Sequence, residues 1–384
     1  MTFAAPRPAP SPEALVDAAR AMIPMLREAG PGHDADKRIS DAVARRLRDE
    51  GFFRICQPIE CGGWGMRPSV LWRVSREIAR GDSATAWILS LAGLHPWMAG
   101  MFPVAAQDEV FPNGSDAVVI ALTGNVGRGV TTTLEDGHYV LTGKWTYASG
   151  VDVCDWAAVL VEAPTEAGTK EMRLVLVPKA AFRIDDASWE VFGMKGTGSK
   201  DVHLDGARVP VGRSLLWADV QRSTVPGTER NRGPMYRIPH TSLFVMSIAA
   251  AITGVAAGLG TPQTEDRFSL AELGKAASRI EMGFDRLMSD VDEMWDIAVS
   301  GRDFTVTDRT RYRVDGATIC DTVLDAADDL VRNLGGSLLP PGPVERYFRD
   351  LHAMASHFLM QVDPSAELHG RALLGLPLPA NARI

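Results

Sequence analysis

Between about residue 116 and residue 225 the sequence changes its period, and helical patterns flank that stretch on both sides. A chain ordered helices, strands, helices has few ways to fold, because each class of element needs a matching apolar face. At the start, Ser11-Pro12-Glu13 is a helix signal with proline at the first helical position. Apolar residues recur at helical spacing over 15–26, where Pro24 is expected to kink or end the helix. They recur again over 37–50, a segment that Asp36 opens and Gly51 stops. Segments 69–79 and 83–94 read as apolar helices. In the middle, 117–122 is a short apolar run, and 131–134 with 138–142 reads as a hairpin around Asp136-Gly137. Short strands follow over 157–161, 173–178, 182–184 and 201–209. Beyond a polar linker at 226–239, long helices are expected over 241–259, 265–300, 308–332 and 343–361. The expected fold is α+β: an N-terminal helical domain (1–115), a central β-barrel or sandwich (116–225) and a C-terminal four-helix bundle (226–384).

With 384 residues, 46% of them hydrophobic, the chain can fill more than one core. The net charge of -8 and the lack of a basic run argue against nucleic acid as a partner. Cys56, Cys61, Cys154 and Cys320 fit neither a zinc spacing nor a disulfide framework, and reduced thiols in a cytoplasm fit best. The opening residues, rich in Pro and Ala, lack a positive segment and a long apolar one, and read as a loose tail. No apolar run reaches the length of a membrane span; the nearest, 247–259, reads as a buried helix. The histidines show no metal spacing, since His352 and His357 stand five apart, off one helix face. Gly127-x-Gly129 lacks the strand, turn and helix order of a dinucleotide fingerprint, so no nicotinamide site is legible.

Specific segments go further. Gly193-Met194-Lys195-Gly196-Thr197-Gly198-Ser199-Lys200-Asp201-Val202, followed by Val209-Pro210, resembles the middle-domain signature of the acyl-CoA dehydrogenase superfamily. Its glycines are expected in tight turns that no β-branched residue could follow. Thr142 to Gly150 is similar to the strand behind the flavin in that superfamily. Glu345 to Asp350 resembles its arginine-aspartate segment, and Arg267-Phe268 the pair that reaches a neighbouring subunit's cofactor. The resemblance covers roughly residues 12 to 377.

The chain departs from the dehydrogenases in ways that resemble the flavin-dependent hydroxylases of the same fold, typified by the 4-hydroxyphenylacetate hydroxylase oxygenase component. The stretch Leu351 to Phe358 holds no carboxylate where a dehydrogenase carries its base, and Thr123 to Gly129 departs from the acyl-CoA contact segment. Histidines stand instead at His95 and His357, and a serine at Ser149. The tail Glu367 to Pro377 is also similar to that subgroup's.

The resemblance implies the oxygenase half of a two-component monooxygenase. It would hydroxylate a small aromatic, phenolic or indole-like, substrate through a flavin C4a-hydroperoxide. Reduced flavin, FMNH2 or FADH2, would come from a separate NAD(P)H:flavin reductase, with O2 as co-substrate. By the same resemblance, His357 bonds the peroxide, Ser149 the flavin N5 region, and His95 accepts a phenol proton. Trp145 walls the flavin ring, with Thr146 and Thr123 beside the cofactor. Met235, Tyr236, Arg237 and Phe244 line the substrate cavity. Arg267, Phe268, Gly335 and Gly336 complete a neighbour's flavin site, which implies at least a dimer, and a homotetramer is typical of the resemblance. The rivals are an acyl-CoA dehydrogenase with its base at Glu265 or Asp350, an oxygenase acting on nitrogen or sulfur, and a scaffold that has lost its chemistry.

Overall fold

The computed structural model describes residues 8–124, 127–259, 267–332, 340–379 and 382–384, and of residues 267–269 the backbone alone. Seven helices come first: α1 (Pro12–Ala21), α2 (Ile23–Asp36), α3 (Asp41–Asp49), α4 (Pro68–Ala79), α5 (Ser83–Ala92), α6 (His95–Ala99) and α7 (Val104–Val110). Pro24 does not merely end a helix; it sits in the first turn of α2, where its missing N–H costs nothing. α2 then runs on past Pro31 to Asp36, and Lys37 in the left-handed region stops it. Ser40, not Asp36, opens α3, its hydroxyl accepting from the Val43 N–H. α5 is capped by Asp82, and all ten of its residues are buried.

Eight strands follow: β1 (Val119–Leu122), β2 (Arg128–Glu135), β3 (His138–Ala148), β4 (Trp156–Pro164), β5 (Lys170–Pro178), β6 (Arg183–Asp185), β7 (Lys200–Pro210) and β8 (Ser214–Leu216). They form two four-stranded sheets, ordered β1-β4-β5-β8 and β2-β3-β7-β6. β1 pairs with β4 in parallel, and the pairs β2–β3, β3–β7, β4–β5, β5–β8 and β6–β7 are antiparallel. The expected hairpin at Asp136-Gly137 is present, with both residues at positive φ. β8 had no signal of its own, being three residues long.

α8 (Trp217–Arg222) leads to the last helices: α9 (His240–Gly258), α10 (Arg267–Ser300), α11 (Val306–Arg332), α12 (Pro343–Ala355) and α13 (Val362–Leu373). α9 is the central one. It has 19 residues and a mean hydropathy of 1.7, long and apolar enough to pass a membrane-span test, contrary to the expectation that no run would. Yet 83% of that stretch is buried inside the protein, between α4, α5, α10 and α11. The expected helix over 343–361 is broken: α12 stops at Ala355, a short turn covers Phe358–Met360, and α13 begins at Val362. That break lies at His357.

Candidate active site

A cavity of about 540 Å³ opens where the ends of β1 and β3 face the helices. Trp87 and Leu91, four residues apart on one face of α5, and His95 at the start of α6 all reach it. α8 adds Trp217 and Gln221, and the first turn of α9 adds His240, Thr241 and Phe244. The break after α12 adds His357 and Phe358.

On the strand side, β3 slips register between Trp145 and Ala148, and Tyr147 takes a φ of 62°. The slip lets Thr146 and Tyr147 both face the cavity, which regular alternation forbids. Trp145, expected against the flavin ring, points the other way. It is fully buried between the sheets, and its indole N–H donates to the Leu160 carbonyl on β4 at 3.1 Å. The loop from Trp189 to Ser199 completes this wall. Of its glycines only Gly198 has positive φ. Gly193 and Gly196 are required instead by close packing, since a Cβ would meet the Arg349 carbonyl oxygen at 2.5 Å and the Ala84 side chain at 2.9 Å. Asp350 ties the same loop to the helices, accepting from the Met194 N–H and the Ser83 hydroxyl.

The hydroxyls of this wall form a chain whose direction can be deduced. Thr197 donates its one proton to the Met194 carbonyl at 2.8 Å. It must therefore accept from Ser199, 2.7 Å away, and Ser199 in turn must accept from Ser149, also at 2.7 Å. Ser149 accepts from the Trp87 indole N–H at 3.1 Å. Its proton is thus committed, and one lone pair is left facing the cavity.

The histidines are fixed in opposite tautomers. His95 lies 3.0 Å from the Val119 carbonyl, so its Nδ1 carries hydrogen and donates. Its Nε2 is then an acceptor, and it is buried with no hydrogen-bond partner. His357 accepts the Leu359 N–H at Nδ1, 3.2 Å, so in the neutral ring the hydrogen is on Nε2. Burial holds both imidazoles well below their ordinary value, at about 4, with the charges of Arg313 and Arg383 adding to the effect at His357. Both are neutral at pH 7. The cavity thus presents a fixed acceptor and a fixed donor.

Of the expected site residues, the structure brings His95, Thr123, Thr146, Ser149, Phe244 and His357 to one cavity. It does not bring Met235 and Tyr236, which are buried beyond it, or Arg237, which is held at the surface by the Gly301 carbonyl and Asp303. The linker turns there as a short 3-10 helix over Pro234–Arg237, so α9 reaches the cavity and the linker does not. Arg267 and Phe268 open α10, with their side chains outside the described part, and Gly335 and Gly336 lie outside the described residues.

His240 escaped sequence reading. It stacks between Trp97 and Phe244, at ring distances of 6.1 and 6.0 Å, with Trp217 edge-on at 5.4 Å. Burial, with smaller contributions from His95 and Arg383, pushes its pKa down to about 3. Arg383 also escaped notice, because only the folded chain carries residues 382–384 back to the cavity. The four-residue spacing of Trp87, Leu91 and His95 is a signal that could have found this wall, and the sequence reading did not use it.

Comparison with known proteins agrees with this geometry. Residues 245–362 match the family described as acyl-CoA dehydrogenase, C-terminal domain. The chain is 29% identical to the oxygenase subunit HsaA of a flavin-dependent monooxygenase from Rhodococcus jostii (strain RHA1), covering 93% of this chain and 97% of that protein. It is 27% identical to the oxygenase component of an FADH(2)-dependent resorcinol hydroxylase from Rhizobium sp. (strain MTP-10005), covering 92% of each. The crystal structure of 3-HSA hydroxylase from Rhodococcus sp. RHA1 superposes with a TM-score of 0.88 at 28% identity, over 95% of this chain and 97% of that one. With two histidines in place of a carboxylate base, the chain resembles flavin-dependent monooxygenase oxygenase components over nearly its whole length, and its C-terminal helices match the acyl-CoA dehydrogenase C-terminal domain.

Proposed function

We propose that this chain is the oxygenase component of a two-component flavin-dependent monooxygenase that hydroxylates a small aromatic substrate. A separate NAD(P)H:flavin reductase supplies the reduced flavin, FMNH2 or FADH2, and O2 is the co-substrate. The observation that carries the reading is the pair of neutral histidines of opposite tautomer on one cavity.

The residues present fit a flavin. Ser149 offers an unfilled lone pair, Thr146 and Thr123 are polar but uncharged, and Trp87, Trp189 and Phe358 give flat apolar surface. When bound, the reduced flavin supplies two electrons and activates dioxygen, so that one oxygen atom enters the ring and the other leaves as water. Ser149 would help to hold the flavin, accepting a hydrogen bond at its N5 edge with the remaining lone pair. A reduced flavin carries a hydrogen there and an oxidised one does not, so the committed Ser149 proton favours the reduced form. His357 would offer its Nε2 hydrogen to the activated oxygen, and burial keeps it from becoming an imidazolium. His95 accepts, at Nε2, the hydrogen of the substrate's hydroxyl or ring N–H. Its depressed pKa leaves that proton on the substrate at rest, and transfer to Nε2 waits until the attacking ring makes the group more acidic. The apolar walls exclude water that would divert the oxygen to hydrogen peroxide.

The dehydrogenase alternative needs a carboxylate at the cavity. Asp350 is fully buried, engaged by Ser83 and Met194, and absent from the lining, while Glu265 lies outside the described residues. Oxidation at nitrogen or sulfur needs no acceptor such as His95 Nε2. The homotetramer, with Arg267, Phe268, Gly335 and Gly336 reaching a neighbour's flavin, belongs to this proposal.

The test has two steps. The purified protein is titrated anaerobically with reduced FAD and reduced FMN, then mixed with oxygen-18 gas and a panel of phenols and indoles. Tight binding of reduced flavin and one labelled oxygen per product molecule are expected. Oxidation of an acyl thioester without label, or no affinity for reduced flavin, rejects the reading.

A further inference from the structure

Among the described residues that line the cavity, Arg383 is the single one with a fixed charge. It has no acidic partner: no carboxylate oxygen of a described residue lies within 4 Å of its guanidinium. One of its five N–H donors is used, by Nη1 to the Thr123 carbonyl at 3.1 Å. The guanidinium also stands 5.4 Å from the centre of the Phe358 ring. The residue is half-buried, and burial lowers its pKa. Leaving a cation there without a counter-charge costs free energy that solvent only partly recovers.

The arrangement is held in place from behind. Arg313 on α11 is itself buried and bonds the backbone carbonyl of Arg383, while its Nε donates to Ser365 on α13 at 3.3 Å. Arg313 therefore points away from the cavity's chemistry and fixes the backbone from which Arg383 reaches in. A second cation in that support, again with no acidic partner among the described residues, makes this corner of the site positive. Nothing in the described lining offsets it.

We propose that Arg383 is a specificity-determining residue that binds an anionic group, a carboxylate, on the aromatic substrate. The inference rests on the function proposed above and narrows its substrate class. The four spare donors in a planar fork match a carboxylate held two-pronged, with the ring lying in the cavity that His95 and Phe244 also line. The rival anion is the cofactor's own, its phosphate or its ionised reduced ring, and the experiment separates the two.

Dissociation constants are measured by calorimetry at pH 7.5 for aromatic acids and their carboxamides: phenylacetate, 3-phenylpropanoate and 1-naphthylacetate. They are taken with flavin-free protein and with protein holding reduced flavin under argon. Wild type should bind at least one acid about ten- to a hundredfold more tightly than its amide, the range of a charge-assisted hydrogen bond. Arg383→Gln should bring that ratio to about one, and Arg383→Lys, which keeps the charge and loses the fork, should fall between. Affinity for reduced flavin should be the same in all three proteins. The inference is overturned if no acid outbinds its amide in wild type, if R383Q or R383K leaves the ratio unmoved, or if reduced-flavin affinity falls in place of the ratio. Should wild type fail to bind reduced flavin, the proposed function fails, and the acid-to-amide ratio in the flavin-free protein still decides the role of Arg383.

Discussion

The two walls of the cavity spend their polar groups differently. On the strand wall the hydroxyl protons of Ser149, Ser199 and Thr197 are committed in one line that ends at the Met194 carbonyl and is met from the helical side by the Trp87 N–H. On the opposite wall, formed by the helices together with Arg383, the groups are anchored at one atom and open at another: His95 through Nδ1, His357 through Nδ1, Arg383 through Nη1. A saturated wall can hold a ligand in one orientation at little cost. An open wall must be completed by the ligand, so its groups act on whatever enters.

If the contrast is right, the helical wall should show the larger effects. His357→Ala removes the donor and leaves the strand wall intact. Product per oxygen consumed should fall by about 10²–10³-fold, the cost of losing one positioned donor, with the missing oxygen found as hydrogen peroxide. Reduced-flavin affinity should hold. A peroxide-to-product ratio equal to wild type would remove His357 from the chemistry. His95→Ala should cost about a hundredfold in ring hydroxylation, within the usual range for a general base. Its loss should be smaller for substrates already ionised at the ring oxygen, compared across pH 7 to 10; equal loss for ionised and neutral substrates would mean that His95 only packs.

How far the sequence announced this contrast can be said residue by residue. The helical order, the Asp136-Gly137 turn and the absence of a carboxylate after Asp350 were legible, because local periodicity and turn chemistry decide them. Ser149, His95 and His357 were legible only by resemblance. Trp145 was misplaced because the register slip in β3 is set by its pairing with β7, which the strand's own residues do not reveal. Met235, Tyr236 and Arg237 were taken for lining because they precede α9, whereas the helix starts one turn later and His240 takes the position. The break after Ala355 carries no strong stop signal, and the helix was read through it. Arg383 depends on contacts with Arg313, 70 residues away, and Thr123, 260 residues away, so no local pattern could show it.

The helical wall also leaves a mark on stability. His95 and His357 are depressed from about 6.5 to about 4, and His240 to about 3. The unfolded chain therefore binds more protons than the native one between those values. Stability is present in full above about pH 6.5 and is lost as pH falls through the window, by up to about 1.4 kcal/mol per pH unit for each histidine. His240→Phe, which keeps the stack with Trp97, should flatten the slope of unfolding free energy against pH between 6.5 and 4, as read by urea titration. A slope unchanged from wild type would show that the native His240 is not held neutral.

The strand wall should give the smallest effect, and the sign distinguishes it. Ser199→Ala frees the Ser149 proton to turn into the cavity, where the bare N5 of an oxidised flavin can accept it. Oxidised-flavin affinity should rise, and the preference for the reduced form should drop about tenfold, the worth of one hydrogen bond near 1.4 kcal/mol. Thr197→Val should act in the same direction, because Ser199 then loses its acceptor and can donate back to Ser149. Trp87→Phe removes a donor from the other end and opens a second lone pair on Ser149 while its proton stays with Ser199. That change should preserve or sharpen the preference. Fluorescence titration of oxidised flavin, beside anaerobic titration of the reduced form, reads all three. If the two hydroxyl variants and the tryptophan variant shift the preference the same way, the chain has no fixed direction, and the strand wall is only a surface for the ring.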